Sequence, residues 1–112
     1  MKLGILGGSF NPVHIVHLRL AMEALEQAEL DRVDFLPAFI PPHKQKGWLL
    51  PFETRVRLLE QALAGRDRFA VNQMEAERSG PSYTVHTMQE YGRRYPEAEL
   101  YFILGGDEFL FL

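Results

Sequence analysis

Residues 2–17 read KLGILGGSFNPVHIVH, and the division of this stretch decides the fold. Lys2 to Leu6 is a short apolar run stopped by Gly7 and Gly8, the pattern of a buried strand. Leu18, Ala21, Met22 and Leu25 then recur at helical spacing, which predicts an amphipathic helix over roughly His14 to Ala28. Between strand and helix lies a turn, with two glycines expected to let the backbone bend tightly and approach a ligand closely.

The same alternation continues along the chain. Val33 to Phe39 reads as a second strand, closed by Pro37 or by the Pro41–Pro42 pair. Ile40 to Leu50 has no helical period and carries two lysines, a histidine and the sole tryptophan, so it reads as a long, functional loop. Phe52, Val56, Leu59, Ala62 and Leu63 mark a second helix with Gly65 as its stop. Arg68 to Met74 is a third strand, and Glu75 to Pro81 is polar. Tyr83 to Tyr95 is a third helix, with Ser82 as N-cap and Pro96 beyond its end. Leu100 to Leu104 is a fourth strand, and Asp107 to Leu112 resembles the start of another helix.

Near-continuous apolar strands separated by helices predict an α/β fold, a parallel sheet with helices on both faces. Ligands in such folds bind beyond the carboxyl ends of the strands, at a switch in strand order. The functional residues are therefore expected just after Leu6, Phe39, Met74 and Leu104.

Composition narrows the class. The 112 residues carry 12 Lys plus Arg against 15 Asp plus Glu, a net charge of −3. With 46% hydrophobic and 24% charged residues the chain has globular composition and the length of one domain. It has no cysteine, hence no disulfide scaffold, thiol nucleophile or Cys-ligated zinc. The negative balance argues against a broad nucleic-acid-binding face. The apolar runs fall short of the ~20 residues of a membrane helix, and the N-terminus lacks the pattern of a secretory signal. No membrane association and a cytoplasmic location are expected.

The strand ends hold the chemistry. After the first, His14 and His17 share one face at a helix N-terminus, where free N–H groups and the dipole favour an anion. Two imidazoles there can donate to phosphate oxygens. The segment has no G-x-G-x-x-G and no P-loop. Its i, i+3 histidines, with Ile15 and Val16 between them, do not match the i, i+4 pair of zinc proteases, so no metal ligands are assigned. After the second strand His43, Lys44 and Lys46 put positive charge near the same end of the sheet, either as ordinary basic residues of a solvated loop or as a cluster suited to a small phosphorylated ligand. Ser82, Tyr83 and Thr84 open the third helix, where capping alone also accounts for them. After the fourth strand Gly105 and Gly106 allow close approach, and Asp107 can accept hydrogen bonds from a ribose, contact a magnesium ion, or cap a helix.

GGSFNPVH-x-x-H, with PPHK at 41–44, GPSYT at 80–84 and GGD at 105–107, resembles the nucleotidyltransferases of the "HIGH" superfamily, and within it the nicotinate-nucleotide adenylyltransferases. The resemblance implies a Rossmann-like nucleotidyltransferase domain over 1–112, its N-terminal part only, truncated after the fourth strand. It implies adenylyl transfer from ATP to nicotinate mononucleotide, giving deamido-NAD and pyrophosphate in NAD biosynthesis, with Mg2+ accompanying the ATP. By the same resemblance Gly7, Gly8, Ser9 and Phe10 line the nucleotide, and His14 and His17 contact the ATP phosphates. His43 and Lys44 lie near the mononucleotide, Tyr83 and Thr84 near its nicotinate portion, and Gly105 and Asp107 beside the adenosine ribose. The loop with Trp48 is expected to move on binding.

Two departures stand out. Val16 occupies the glycine position of the family's H-x-G-H, which predicts weaker ATP binding than a glycine would give. The family's C-terminal I-S-[ST]-x-x-R motif is missing. These departures keep a non-catalytic nucleotide-binding fragment in view. A sibling transferase with another phosphorylated acceptor, such as phosphopantetheine or glycerol phosphate, fits PPHK and GPSYT less well. The apolar run Phe109 to Leu112 would lack a covering partner, so self-association into a homo-oligomer is a further expectation.

Overall fold

Strand β1, Lys2–Gly8, has neighbours on both sides and is the axis of the molecule. The computed structural model describes residues 1–39, 49–77 and 84–104. Around β1 are α1 (Ile15–Gln27), β2 (Arg32–Pro37), α2 (Phe52–Leu63), β3 (Phe69–Val71), α3 (Thr84–Arg94) and β4 (Glu99–Leu104), with a 3₁₀ turn at Met74–Glu77. Every strand pairing is parallel, in the order β3-β2-β1-β4. β1 runs in register with β2 from Leu3 opposite Arg32 to Gly8 opposite Pro37. On its other side it runs from Lys2 opposite Glu99 to Gly7 opposite Leu104. The chain steps outward from β1 to β2 to β3, then crosses back to the far side of β1. The switch in strand order therefore lies between β1 and β4.

The two faces follow from strand alternation. Leu6, Val33 and Phe35 point to one side, where they pack with Phe10, Ala21, Leu30, Leu59 and Leu63 under α1 and α2. Leu3, Ile5 and Leu36 point to the other, against Met74, Tyr91 and Tyr95. Helices thus cover both faces, as a parallel sheet requires. Gly4 is where α1's exit presses on the sheet. A Cβ there would stand 2.7 Å from Leu30 Cδ1, 3.2 Å from Ile103 Cδ1 and 3.3 Å from Val33 Cγ2.

The helices keep to their expected limits. His14 is the N-cap of α1 and Ala28 its C-cap. Gly65, at φ +82°, terminates α2 in the left-handed region that glycine enters without strain. Met22 falls off the buried stripe and is 47% exposed, its place taken by Leu20 and Ala24.

The strands need correction. β1 does not stop at Leu6, because Gly7 and Gly8 are themselves strand residues. β3 ends at Val71, not Met74. Asn72 still donates its N–H to Phe35 O at 2.9 Å, but its side-chain oxygen accepts from Met74 N–H at 3.0 Å, turning the chain out of the sheet. The stretch after it, expected to be polar and solvated, buries Glu75 against the Thr87 hydroxyl. Glu77 pairs with Arg94 at 2.7 Å. The further helix expected from Asp107, and the apolar run to Leu112, lie outside the described residues.

Candidate functional site

The carboxyl end of β1 opens into residues 9–14, the turn that delivers the chain to α1. The turn is not made by the glycines. It comes at Phe10, whose φ is +49°, and at the cis peptide between Asn11 and Pro12. A left-handed phenylalanine is uncommon and is held only where its surroundings over-determine it. Here the ring is 1% exposed and meets Phe35 at 5.8 Å and His17 edge-on at 4.9 Å. With its ring buried, Phe10 has no side-chain surface to offer a ligand. Cβ atoms at Gly7 and Gly8 would meet protein only at ordinary contact distances, 4.0 and 3.6 Å, so internal packing does not demand glycine at either position.

The two histidines are brought together. Their rings lie 4.3 Å apart, and His14 donates its backbone N–H to His17 Nδ1 at 3.1 Å. A ring nitrogen that accepts is unprotonated, so the neutral His17 carries its proton on Nε2 and remains a donor there. Burial first, and then the adjacent His14, lower the His17 pKa from the usual 6.5. The first turn of α1 holds no acidic residue, so its N–H groups and dipole are not already answered by a carboxylate of the helix itself. Ile15 and Val16, 76% and 55% exposed, line the outside of this turn.

The residue that periodicity passed over is Arg55. It lies on the inward stripe of α2, between Phe52 and Leu59, and is 1% exposed. Its guanidinium donates to four carbonyls: Leu50 O at 2.9 Å, Ser9 O at 2.8 Å, Ala38 O at 2.8 Å and Phe39 O at 3.2 Å. It also lies 5.4 Å from the centre of the Phe52 ring, which packs on Phe39. No carboxylate pairs with it among the described residues, and burial draws its pKa down without discharging it. A charged residue on an otherwise apolar stripe was the available signal. Beside it Asn11 Oδ1 accepts from Leu50 N–H at 2.8 Å, a second tie between two of the same three segments.

Of the expected site residues, Gly7, Gly8, Ser9, Phe10, His14 and His17 meet at one end of the sheet, next to the strand-order switch. Thr84 is the first residue of α3. His43, Lys44, Lys46, Trp48, Ser82, Tyr83, Gly105, Gly106 and Asp107 lie outside the described residues.

Known proteins resemble this chain. The cytidylyltransferase-like family model matches residues 5–111. A protein of Geobacter sulfurreducens named probable nicotinate-nucleotide adenylyltransferase is 50% identical over 110 residues, covering 98% of this chain and 51% of its own length. One of the same name from Pelobacter propionicus is 46% identical over equal shares. The chain thus spans about half the length of the curated relatives it matches. Among solved structures, Plasmodium falciparum nicotinic acid mononucleotide adenylyltransferase complexed with NaAD superposes with a TM-score of 0.78 at 15% identity, over 90% of this chain and 50% of that one. The same enzyme complexed with APC gives 0.74 over similar shares. At that identity the likeness speaks for the fold, which is Rossmann-like. With a family model spanning nearly its whole length, the chain belongs to the cytidylyltransferase-like nucleotidyltransferase family.

Proposed function

We propose that the site handles ATP, in adenylyl transfer to nicotinate mononucleotide that yields deamido-NAD and pyrophosphate, a step of NAD biosynthesis in the cytoplasm. The observation that carries this reading is the His14–His17 pair at the N-terminus of α1, one imidazole fixed with its Nε2 proton available. Relatives at 46–50% identity bearing the adenylyltransferase name support the choice of substrates.

The chemistry asks little covalent help of the protein. The acceptor phosphate is already largely ionised near pH 7, its second pKa being about 6, so no general base is required. Its oxygen attacks the α-phosphorus of ATP, and the bond to the β-phosphate oxygen breaks to release pyrophosphate. The site must align the two phosphates and spread the charge that develops. In this reading α1's N–H groups and the two histidines serve that role, and Gly7 and Gly8 leave room for the nucleotide. His43, Lys44, Tyr83 and Thr84 hold the mononucleotide, and Gly105 and Asp107 the ribose. Among the described residues no group of three or more His, Cys, Asp or Glu forms a metal cage. Mg2+ fits as an ion carried on the ATP phosphates, as it is in many phosphoryl-transfer sites.

Calorimetric titration with ATP and with nicotinate mononucleotide, followed by a pyrophosphate-release assay, tests the proposal. ATP binding that weakens about tenfold in His17→Ala is the expected result. A chain that does not bind ATP overturns it. The second reading, nucleotide binding without turnover, is favoured by Val16, 55% exposed at the position where the resembled H-x-G-H motif has glycine. Binding with no pyrophosphate released decides for it.

A further inference from the structure

We infer that Arg55 is a positioning residue for the nucleotide's phosphates, acting through the backbone of the turn between β1 and α1. The inference rests on the ATP reading above. The hydrogen bonds of Arg55 go to neither His14 nor His17. What it holds is the Ser9 carbonyl, at 2.8 Å, and with the same terminal nitrogen the Ala38 carbonyl just past β2, also at 2.8 Å.

The consequence for the turn is geometric. The Ser9–Phe10 peptide is trans and planar, so its C=O and N–H point in nearly opposite directions. Drawing the oxygen inward onto the buried guanidinium turns the Phe10 N–H away from it. That orientation is coupled to the left-handed φ of Phe10, which the chain would otherwise leave for a relaxed conformation. Burial of the Phe10 ring fixes one side of the residue, and Arg55 fixes the peptide on the other. An anion then meets N–H groups already aimed outward at the start of α1, and no ordering of the turn is charged against its binding.

The choice of arginine follows. Four carbonyls in three segments need a planar fork with several donors, and a lysine ammonium cannot span them. A carboxylate at this place would repel the phosphates. Carbonyl partners satisfy the cation's hydrogen bonds without cancelling its charge, so the turn is held from below by a positive group that no carboxylate neutralises among the described residues.

Arg55→Lys is the first test, with Tyr91→Phe, on the opposite face of the sheet, as the control for general loss of stability. ATP affinity is expected to fall about tenfold in Arg55→Lys and to stay unchanged in Tyr91→Phe. The backbone amides of His14 and Leu50, both bonded within the turn's network, should exchange faster in Arg55→Lys while those in the middle of β1 do not. A second measurement needs no variant. By linkage, if the Arg55 bonds favour ATP, ATP must favour those bonds, so the Arg55 Nε proton in the unaltered chain should exchange more slowly at saturating ATP. An unchanged Nε exchange rate, or ATP affinity in Arg55→Lys equal to that of the parent, overturns the role of Arg55 and leaves the ATP reading standing. Failure of the unaltered chain to bind ATP overturns the ATP reading itself.

Discussion

Asp34 and Arg55 are both about 1% exposed, and they are buried in opposite ways. Asp34, in the middle of β2, accepts from Arg32 Nε at 2.8 Å, from the Tyr91 hydroxyl at 2.9 Å and from Asn72 Nδ2 at 3.3 Å. It has a cation, and its partners come from β2, from α3 and from the exit of β3. Among the described residues Arg55 donates hydrogen bonds to carbonyls only, all in segments beyond the carboxyl ends of β1 and β2. The first charge is neutralised and ties the sheet to the helix beneath it. The second keeps its charge and ties together the segments at the ligand end. Burial alone does not identify a functional charge. The identity of its partners does.

The most direct way to break this comparison is Asp34→Ala. It strands the Tyr91 hydroxyl and Arg32 together, and a loss of about 3 kcal/mol is expected in urea unfolding. The folded fraction should bind ATP as the parent does, and weakened ATP binding would erase the distinction drawn between the two charges. Tyr91→Phe removes one donor to the same carboxylate. Burial, and then Asp34, raise the Tyr91 pKa far above its ordinary value, so the phenol stays a donor at every pH the fold survives. About 1 kcal/mol of stability should be lost, read from the same unfolding curves.

At the ligand end the signs differ. Val16→Gly should tighten ATP binding roughly threefold while costing the helix up to about 1 kcal/mol, since glycine is the poorer helix former. Calorimetry beside a melting curve would separate the two, and an unchanged affinity would remove Val16 from the site. The smallest effect concerns pH. His17 has a lowered pKa in the fold, so the unfolded chain takes up its proton more readily. The contribution of His17 is complete above pH 6.5 and drains away as the pH falls through its lower folded value. Replacement by Gln should flatten that part of the stability profile between pH 5 and 7, a range set by the ordinary histidine pKa.

The fold was legible in the sequence because it follows from local signals. The apolar runs of β1 and β4, the stripe of α2 and the glycine after it need no knowledge of distant partners. The candidate site was legible where it is also local, at the histidines three residues apart, whose rings the fold brings together. Arg55 and Asp34 were not. Asp34 lies 57 residues from Tyr91 and 38 from Asn72, and no periodicity spans such gaps. Arg55 lies 46 residues from Ser9, and its four bonds go to backbone atoms, which look alike in any sequence. The early end of β3 escaped for a related reason. A side-chain amide competing with the ladder is a choice between two hydrogen bonds, decided only once Met74 has an apolar cluster to enter.

The strand order also fixes a schedule. Of the four described strands β1 is made before the others, yet its second neighbour is β4, whose pairing begins at Lys2 opposite Glu99. At the usual pace of about 5–20 residues per second, one edge of the central strand waits roughly 5–20 s on the ribosome before its partner has been made. During that wait the unpaired edge offers its N–H and C=O groups to any extended segment nearby. Among these four strands the earliest is the last to find both partners, so the sheet is most exposed to wrong pairing during synthesis, and a chaperone that shields nascent chains would act on it in that interval.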